Sequence, residues 1–330
     1  MKTAYFILFI GFFLFGCVDD APHDNLLDPQ SSSYRKEGGI SGRTIIANQS
    51  AGISGATVLD LAEKISVVTD SSGYFSFNEV AAGTHRFVVT KSNFTSDTFQ
   101  TVIQAGATVQ IIRGLNSAPV VTFQQILTRK IDQYFPSPQY FVEISAAVSD
   151  PNGIAELDSV WFGVDSLKYS LTYSVTTKNF HATIYKYDFP TNTIQWLVGK
   201  PLTIISRDVN KAVNISAPFF VARVIENEAT PISPSPFVND TVSADSLTFK
   251  WSPPNVTFNY TYNISVSRVD AGTQTVVWTL TALNSFNESY DFYLHPNRPV
   301  LIPGNYVWTV SVVDDFGNYG RSKESAFVIK

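Results

Sequence analysis

Short patterns that occur in enzyme active sites are present in this 330-residue chain, but each lacks its companion motifs. Asp315-Phe316-Gly317 spells a kinase triplet, without the glycine-rich loop, strand lysine or catalytic loop that would accompany it. Ser33 and Lys36 have the spacing of a serine nucleophile and its lysine, yet they lie in a polar segment that nothing would hold rigid. The histidines show no metal-ligand spacing: His23, His85, His181 and His295. We therefore expect no catalytic residue, no metal site and no cofactor.

Tryptophan side chains are the candidates for contact with a ligand or partner: Trp161, Trp196 and Trp278. An exposed indole can stack on a sugar or cover a junction between domains, and the alternative for each is packing in a core. Trp161 has the opposite parity to Val160 and Phe162, which predicts a place on the outer face of a sheet. There we favour a domain junction over a sugar site. Core packing is expected for Trp251 and Trp308.

The N-terminus has the layout of an export signal. Lys2 precedes a small and apolar run, Thr3 to Gly16, which is too short to span a bilayer and stops at Cys17. Leu14 to Cys17 resembles the lipobox of bacterial lipoproteins, which implies that residues 1–16 are a signal peptide and that Cys17 is lipidated. Val18 is not the aspartate associated with inner-membrane retention, so we expect an outer-membrane lipid anchor, with cell-surface exposure as an option.

The composition indicates strands and argues against nucleic acid as a partner. The chain carries 23 basic and 28 acidic residues, so it has no basic excess for phosphates. Only 15% of residues are charged and 14% are aromatic, and Val, Ile, Thr, Tyr and Phe are abundant. We predict an all-β protein of tandem antiparallel β-sandwich domains behind the signal.

Residues 17–37 form the expected tether between the lipidated Cys17 and the folded body. This segment is polar, with Asp19, Asp20 and a serine run at 31–33, and cannot bury enough apolar surface to fold alone. We therefore predict that it is flexible.

Residues 38–116 carry the most specific spacing of motifs in the body. The motif residues are Gly42, Gly55 to Val58, Thr69 to Phe77, Gly83 and Gly106. Asp70 to Gly73 predicts a tight turn, and Phe75 and Phe77 share one face of the strand that follows. The pattern resembles the carboxypeptidase regulatory-like domain, which implies a prealbumin-like β-sandwich without catalytic residues. His85 stands where that family usually has an aromatic residue, and we interpret it as a packed histidine rather than a ligand.

Residues 117–228 show the weaker pattern of an immunoglobulin-like β-sandwich. An alternating strand is predicted from Val142, Ile144, Ala146 and Val148. Asp150 to Gly153 then predicts a turn. Asp150 and Asp158 raise the hypothesis of a calcium site, but the loop lacks the dense acidic spacing of a dedicated one, and a plain turn is the favoured interpretation.

Residues 229–330 resemble a fibronectin type III or related immunoglobulin-like β-sandwich. An early strand is predicted from Leu247, Phe249 and Trp251. Tyr306, Trp308 and Val310 share one face of a later strand, and the last strand is expected from Ser325 to Ile329.

These features predict a lipid-anchored cell-envelope protein that is not an enzyme and acts as a binding or scaffolding module. Its partners would be the membrane, through the anchor, and an envelope protein or a glycan. A carbohydrate-binding surface lipoprotein of a glycan-uptake system is the alternative, and an enzyme with an unrecognised site is a distant third. A surface patch of two or more coplanar rings would favour sugar, and a long unprotected strand edge would favour a protein partner.

Overall fold

The computed structural model describes residues 23–25, 28, 30–31, 36–235 and 240–330. The predicted signal peptide, Cys17 and most of the tether lie outside the described residues. The chain divides into two compact units, Met1–Leu115 and Asn116–Lys330. Among the described residues, no helix has the length and apolar character needed to cross a membrane.

The first unit is a sandwich of two small sheets. Its strands are β1 (Glu37–Ile46), β2 (Thr57–Asp60), β3 (Ser66–Val68), β4 (Tyr74–Ala81), β5 (Gly83–Thr90), β6 (Asp97–Ile103) and β7 (Thr108–Leu115). One sheet has the order β4-β1-β7, in which β1 and β7 are parallel, and the other has the order β3-β2-β5-β6.

Alternating side chains build the core of this unit, as predicted. Phe75 and Phe77 are buried on one face of β4, and their rings meet edge to face with centroids 6.4 Å apart. Phe87 stacks on Phe99 across the β5–β6 ladder at 5.3 Å. The predicted turn before β4 is confirmed, because the Asp70 carboxylate accepts hydrogen bonds from the backbone N–H groups of residues 72 and 74 at 2.8 and 2.9 Å.

The second unit begins with a set of strands around one core. These are β8 (Val120–Ile131), β9 (Gln139–Ser149), β10 (Leu157–Val164), β11 (Leu167–Ser170), β12 (Thr172–Ser174), β13 (Asn179–Tyr185), β14 (Leu202–Asp208) and β15 (Val213–Ile215). Short 3₁₀ helices cover Ile154–Glu156, Lys186–Asp188 and Ile194–Leu197. The predicted alternation along β9 is confirmed, since its four apolar positions are all buried in a core with Phe162 and Leu197.

The second unit continues with strands around another core. These are β16 (Thr230–Ser233), β17 (Asp240–Val242), β18 (Thr248–Ser252), β19 (Tyr260–Asp270), β20 (Thr273–Asn284), β21 (Ser289–Asp291), β22 (Gly304–Asp314), β23 (Tyr319–Arg321) and β24 (Ser325–Ile329). Ala244–Ser246 and Phe292–Leu294 form 3₁₀ helices. Trp251 and Trp308 are fully buried in this core, as expected, and Tyr306 and Val310 share the buried face of β22.

A parallel ladder between β8 and β23 joins the two sets of strands into one ten-stranded sheet. In register, Tyr319 lies opposite Arg129, and Gly320 lies opposite Lys130. Gly320 permits a close approach here, because a Cβ at this position would lie 3.0 Å from the Cγ2 atom of Ile225. The two cores of the second unit are therefore connected by backbone pairing rather than by a free linker.

Side-chain contacts reinforce this junction. The Arg129 guanidinium donates to the carbonyl of Gly317 at 2.5 Å, and the Asn318 side chain accepts from the backbone N–H of Thr128 at 2.8 Å. The buried Lys130 ammonium donates to the Glu226 carbonyl and to the Glu228 carboxylate. Each contact joins residues of one core to residues of the other or to the segment between them.

Candidate functional site

Trp278 lies in a core, which corrects the prediction that it contacts a ligand or partner. It is 7% exposed, and its ring lies edge to face with Phe292 at a centroid distance of 5.0 Å. The reason is a β-bulge: Val266 faces Trp278 while Ser267 faces Val276, so Val277 is an extra residue in β20. The bulge changes the parity of the strand and turns the indole inward.

Trp161 lies on the outer face of its sheet, as its parity predicts, between the buried Val160 and Phe162. Cationic groups lie near its ring: the Arg207 guanidinium is 5.0 Å and the Lys168 ammonium 5.8 Å from the centroid. Both cations would compete with a sugar for this indole.

The contacts of Asp158 do not support the hypothesis of a calcium site. Its carboxylate forms an ion pair with Arg207 at 2.5 Å. The hydrogen bond from Arg207 lowers the pKa of Asp158 below its usual value. Within the described ranges, no group of three His, Cys, Asp or Glu side chains is arranged to hold a metal ion.

Asp150 forms the predicted turn. Its carboxylate accepts from the backbone N–H of Asn152 at 2.7 Å, and its backbone carbonyl accepts from Gly153 at 2.9 Å. The side chain is buried, and burial raises the pKa of Asp150, with the charges of Asp208 and Glu156 acting in the same direction.

Trp196 packs against the core formed by the first strands of the second unit. Its ring centroid lies 5.9 Å from that of the buried Phe189. The Lys200 ammonium lies 4.0 Å from the ring centroid and also pairs with Asp165. Trp196 is thus held between core and cation, and the three candidate tryptophans do not come together in one patch.

His85 is packed in the core of the first unit, in keeping with its interpretation as a packed histidine. It is 5% exposed, and its Nδ1 atom lies 2.6 Å from a carboxylate oxygen of Asp60, which is fully buried. Its Nε2 atom lies 2.9 Å from the carbonyl oxygen of Ala81. Both ring nitrogens lie within hydrogen-bond distance of an oxygen, so the ring is held between Asp60 and Ala81.

Tyrosines form an exposed groove that sequence reasoning missed. We call it the tyrosine groove, and its volume is about 390 Å³. Its lining residues are Pro136, Ser137, Pro138, Gln139, Tyr140, Tyr185, Lys186 and Tyr187. They come from the loop between β8 and β9, the start of β9, the end of β13 and the 3₁₀ helix that follows it.

Local hydrogen bonds fix the aromatic wall of this groove. The backbone N–H of Tyr185 donates to the Asp188 carboxylate at 3.0 Å, which closes the 3₁₀ helix containing Tyr187. The rings of Tyr185 and Tyr187 are parallel within 2°, with centroids 5.4 Å apart. The ring of Tyr185 also packs against that of the buried Phe141, with centroids 5.4 Å apart, and this contact anchors the two tyrosines to the sheet. The sequence feature that could have indicated this groove is the Tyr-Lys-Tyr pattern of residues 185–187, at the end of a strand.

The polar edge of the tyrosine groove is cationic. The Lys186 ammonium lies 4.9 Å from the ring centroid of Tyr140, and the Lys130 ammonium lies 5.8 Å from it. Lys130 is engaged by Glu228. Lys186 has no carboxylate within ion-pair distance in the described part of the chain.

Strand β20 provides the long strand edge that sequence reasoning associated with a protein partner. Among the described strands it pairs only with β19. Its 12 residues include no charged side chain. The β-bulge opposite Val266 interrupts this edge and reduces its regularity.

Comparisons with known proteins give one family model for part of the chain and remote likenesses to solved structures. No curated protein matches the chain. BcpA, the major pilin subunit of Bacillus cereus, is 12% identical with a TM-score of 0.32, over 86% of this chain and 92% of that one. The fibronectin(III)-like modules of Clostridium thermocellum CbhA are 14% identical with a TM-score of 0.30, over 64% of this chain and 92% of that one.

A DUF3823 family protein from Bacteroides ovatus is 12% identical with a TM-score of 0.24, over 56% of this chain and 97% of that one. The model of the carboxypeptidase regulatory-like domain matches residues 39–113, which include the Asp70 turn and the buried His85. Residues 39–113 are therefore a carboxypeptidase regulatory-like domain.

Proposed function

We propose that the chain is a non-catalytic, lipid-anchored protein of the bacterial cell envelope that acts as a scaffold. The observation that carries this proposal is the ladder between β8 and β23, which joins two cores in one sheet. A scaffold must hold its surfaces at fixed separations, and a continuous sheet resists bending better than a free linker does.

The distribution of polar groups also supports a scaffold rather than an enzyme. Two ion pairs near the junction join a strand to the segment between β15 and β16: Lys130 of β8 with Glu228, and Asp314 of β22 with Arg223. The buried His85–Asp60 pair is closed off inside the first unit by the Ala81 carbonyl. These paired groups hold segments of the chain in place, which supports a structural role for them.

Anchoring through Cys17 is the part of the proposal that the sequence alone supports. Lipidation at this residue would hold the scaffold at the outer membrane, and the polar tether would give it reach. The tyrosine groove and the edge of β20 would then be displayed at a constant spacing from each other.

Lipidation of Cys17 predicts incorporation of a fatty-acid probe in cells. The full-length chain expressed in a bacterium and fed an alkyne fatty acid should be labelled and should sediment with membranes. The Cys17→Ser variant should be unlabelled, because Cys17 is the only cysteine in the chain. Protease treatment of intact cells would show which side of the membrane holds the body.

An unlabelled wild-type chain, or equal labelling of Cys17→Ser, would contradict the anchor. That result would not affect the description of the fused sheet, because the sheet is formed by residues after 116.

A further inference from the structure

We propose that the tyrosine groove binds an oligosaccharide that carries carboxylate groups. The first observation is the exposure of Tyr187, which is 65% accessible although its ring is held parallel to that of Tyr185. A fixed, exposed aromatic ring offers a flat apolar face at little entropic cost on binding.

Sugars suit this surface because they have both apolar and polar sides. The C–H faces of a pyranose can stack on a tyrosine ring, and its hydroxyls need hydrogen-bonding partners at the ring edge. The lining of the groove includes the tyrosine hydroxyls, the Ser137 hydroxyl and the Gln139 amide, which can form such hydrogen bonds.

The charge at the edge of the groove selects among sugars. Lys186 lines the groove and lies against Tyr140, without a carboxylate partner in the described part of the chain. The neighbouring Lys130 is neutralised by Glu228, so Lys186 supplies the cation that remains. An ammonium group at this position would favour a sugar carboxylate over a neutral hydroxyl.

The tryptophans do not provide an equivalent surface. Trp278 is in a core, and a lysine or arginine lies over the rings of Trp161 and Trp196, whereas among the described residues no cation lies over the rings of Tyr185 and Tyr187. The tyrosine groove therefore takes the place that sequence reasoning gave to the indoles.

The test measures binding of the signal-free chain to tetra-galacturonate and to cello-tetraose by isothermal titration calorimetry. We expect wild type to bind the galacturonate more tightly than the neutral sugar. Tyr187→Ala should weaken binding of galacturonate at least about tenfold, since it removes the stacking face. Lys186→Gln should weaken binding of galacturonate and leave binding of cello-tetraose unchanged.

Tyr74→Ala is the matched control, because Tyr74 is an exposed tyrosine with the Arg43 guanidinium 5.3 Å from its ring centroid, in the first unit. It should bind like wild type. The proposal is overturned if neither sugar binds, if Tyr74→Ala loses as much affinity as Tyr187→Ala, or if a proline-rich peptide binds the groove in place of both sugars. Binding by this chain does not depend on Cys17, so failure here and failure of the lipid anchor are distinguishable.

Discussion

Replacing His85 with phenylalanine is expected to destabilise the first unit by about 3–5 kcal/mol, because it removes the side chain that pairs with the buried Asp60 carboxylate. The resemblance to the carboxypeptidase regulatory-like family would favour an aromatic residue here. In this chain, however, the Asp60 carboxylate lies against Nδ1 of His85 with a side-chain exposure of 0%. After the substitution, Asp60 would keep only the hydrogen bond from the backbone N–H of Ala62, at 2.8 Å.

Hydrogen exchange of the β5 amides against denaturant would measure this loss. All tryptophans lie after residue 116, so their fluorescence reports on the second unit and should be unchanged. The His85→Phe, Asp60→Asn double variant should recover most of the stability, since it removes the unpaired charge and keeps an acceptor for Ala62. Single and double variants of equal stability would show that the loss of a partner for Asp60 is not what destabilises the first unit.

Glu228→Ala is expected to destabilise the second unit by about 3–5 kcal/mol, because it leaves the Lys130 ammonium without a counter-charge. The Lys130 side chain is 10% exposed and that of Glu228 is 18% exposed. Burial alone would lower the pKa of Lys130, but the hydrogen bond and charge of Glu228 outweigh burial and raise it. The stabilisation is therefore fully present at neutral pH and is lost only as the pH rises through the raised pKa.

Tryptophan fluorescence during urea denaturation would measure this effect, since the tryptophans are divided between the two cores of the second unit. The Lys130→Met, Glu228→Leu double variant is the control and should recover most of the loss, because it replaces the pair with apolar groups. Unfolding of Glu228→Ala at the same urea concentration as wild type would show that the pair does not secure the junction.

Local sequence patterns predicted the strands whose periodicity is unbroken. Examples are the Asp70 turn, the buried faces of β4 and β9 and the last strand. Each depends on residues that are close in sequence, and a local pattern records such residues directly. The burial of Trp278 does not follow from such a pattern, because the β-bulge at Val277 depends on the partner strand β19.

The junction and the tyrosine groove lay beyond sequence reasoning for a different reason. The hydrogen bond from Thr128 to Asn318 joins residues 190 positions apart, and a local sequence pattern cannot predict it. The groove combines Pro136, Tyr140 and Tyr187 from separate segments, and it forms only once β9 and β13 pair. Both features arise from tertiary contacts, so only the structure could place them.

The proposed scaffold requires that the fused sheet hold residues 116–330 as one rigid body, and a distance measurement between its two cores tests this proposal most directly. The Cys17→Ser chain has no other cysteine, so spin labels can be attached at Val175→Cys and Phe286→Cys, two exposed positions beside different cores. Double electron–electron resonance should give one narrow distance distribution, which broadens in Glu228→Ala. A broad distribution in the otherwise unaltered chain would show that the two cores move independently, and would contradict the scaffold.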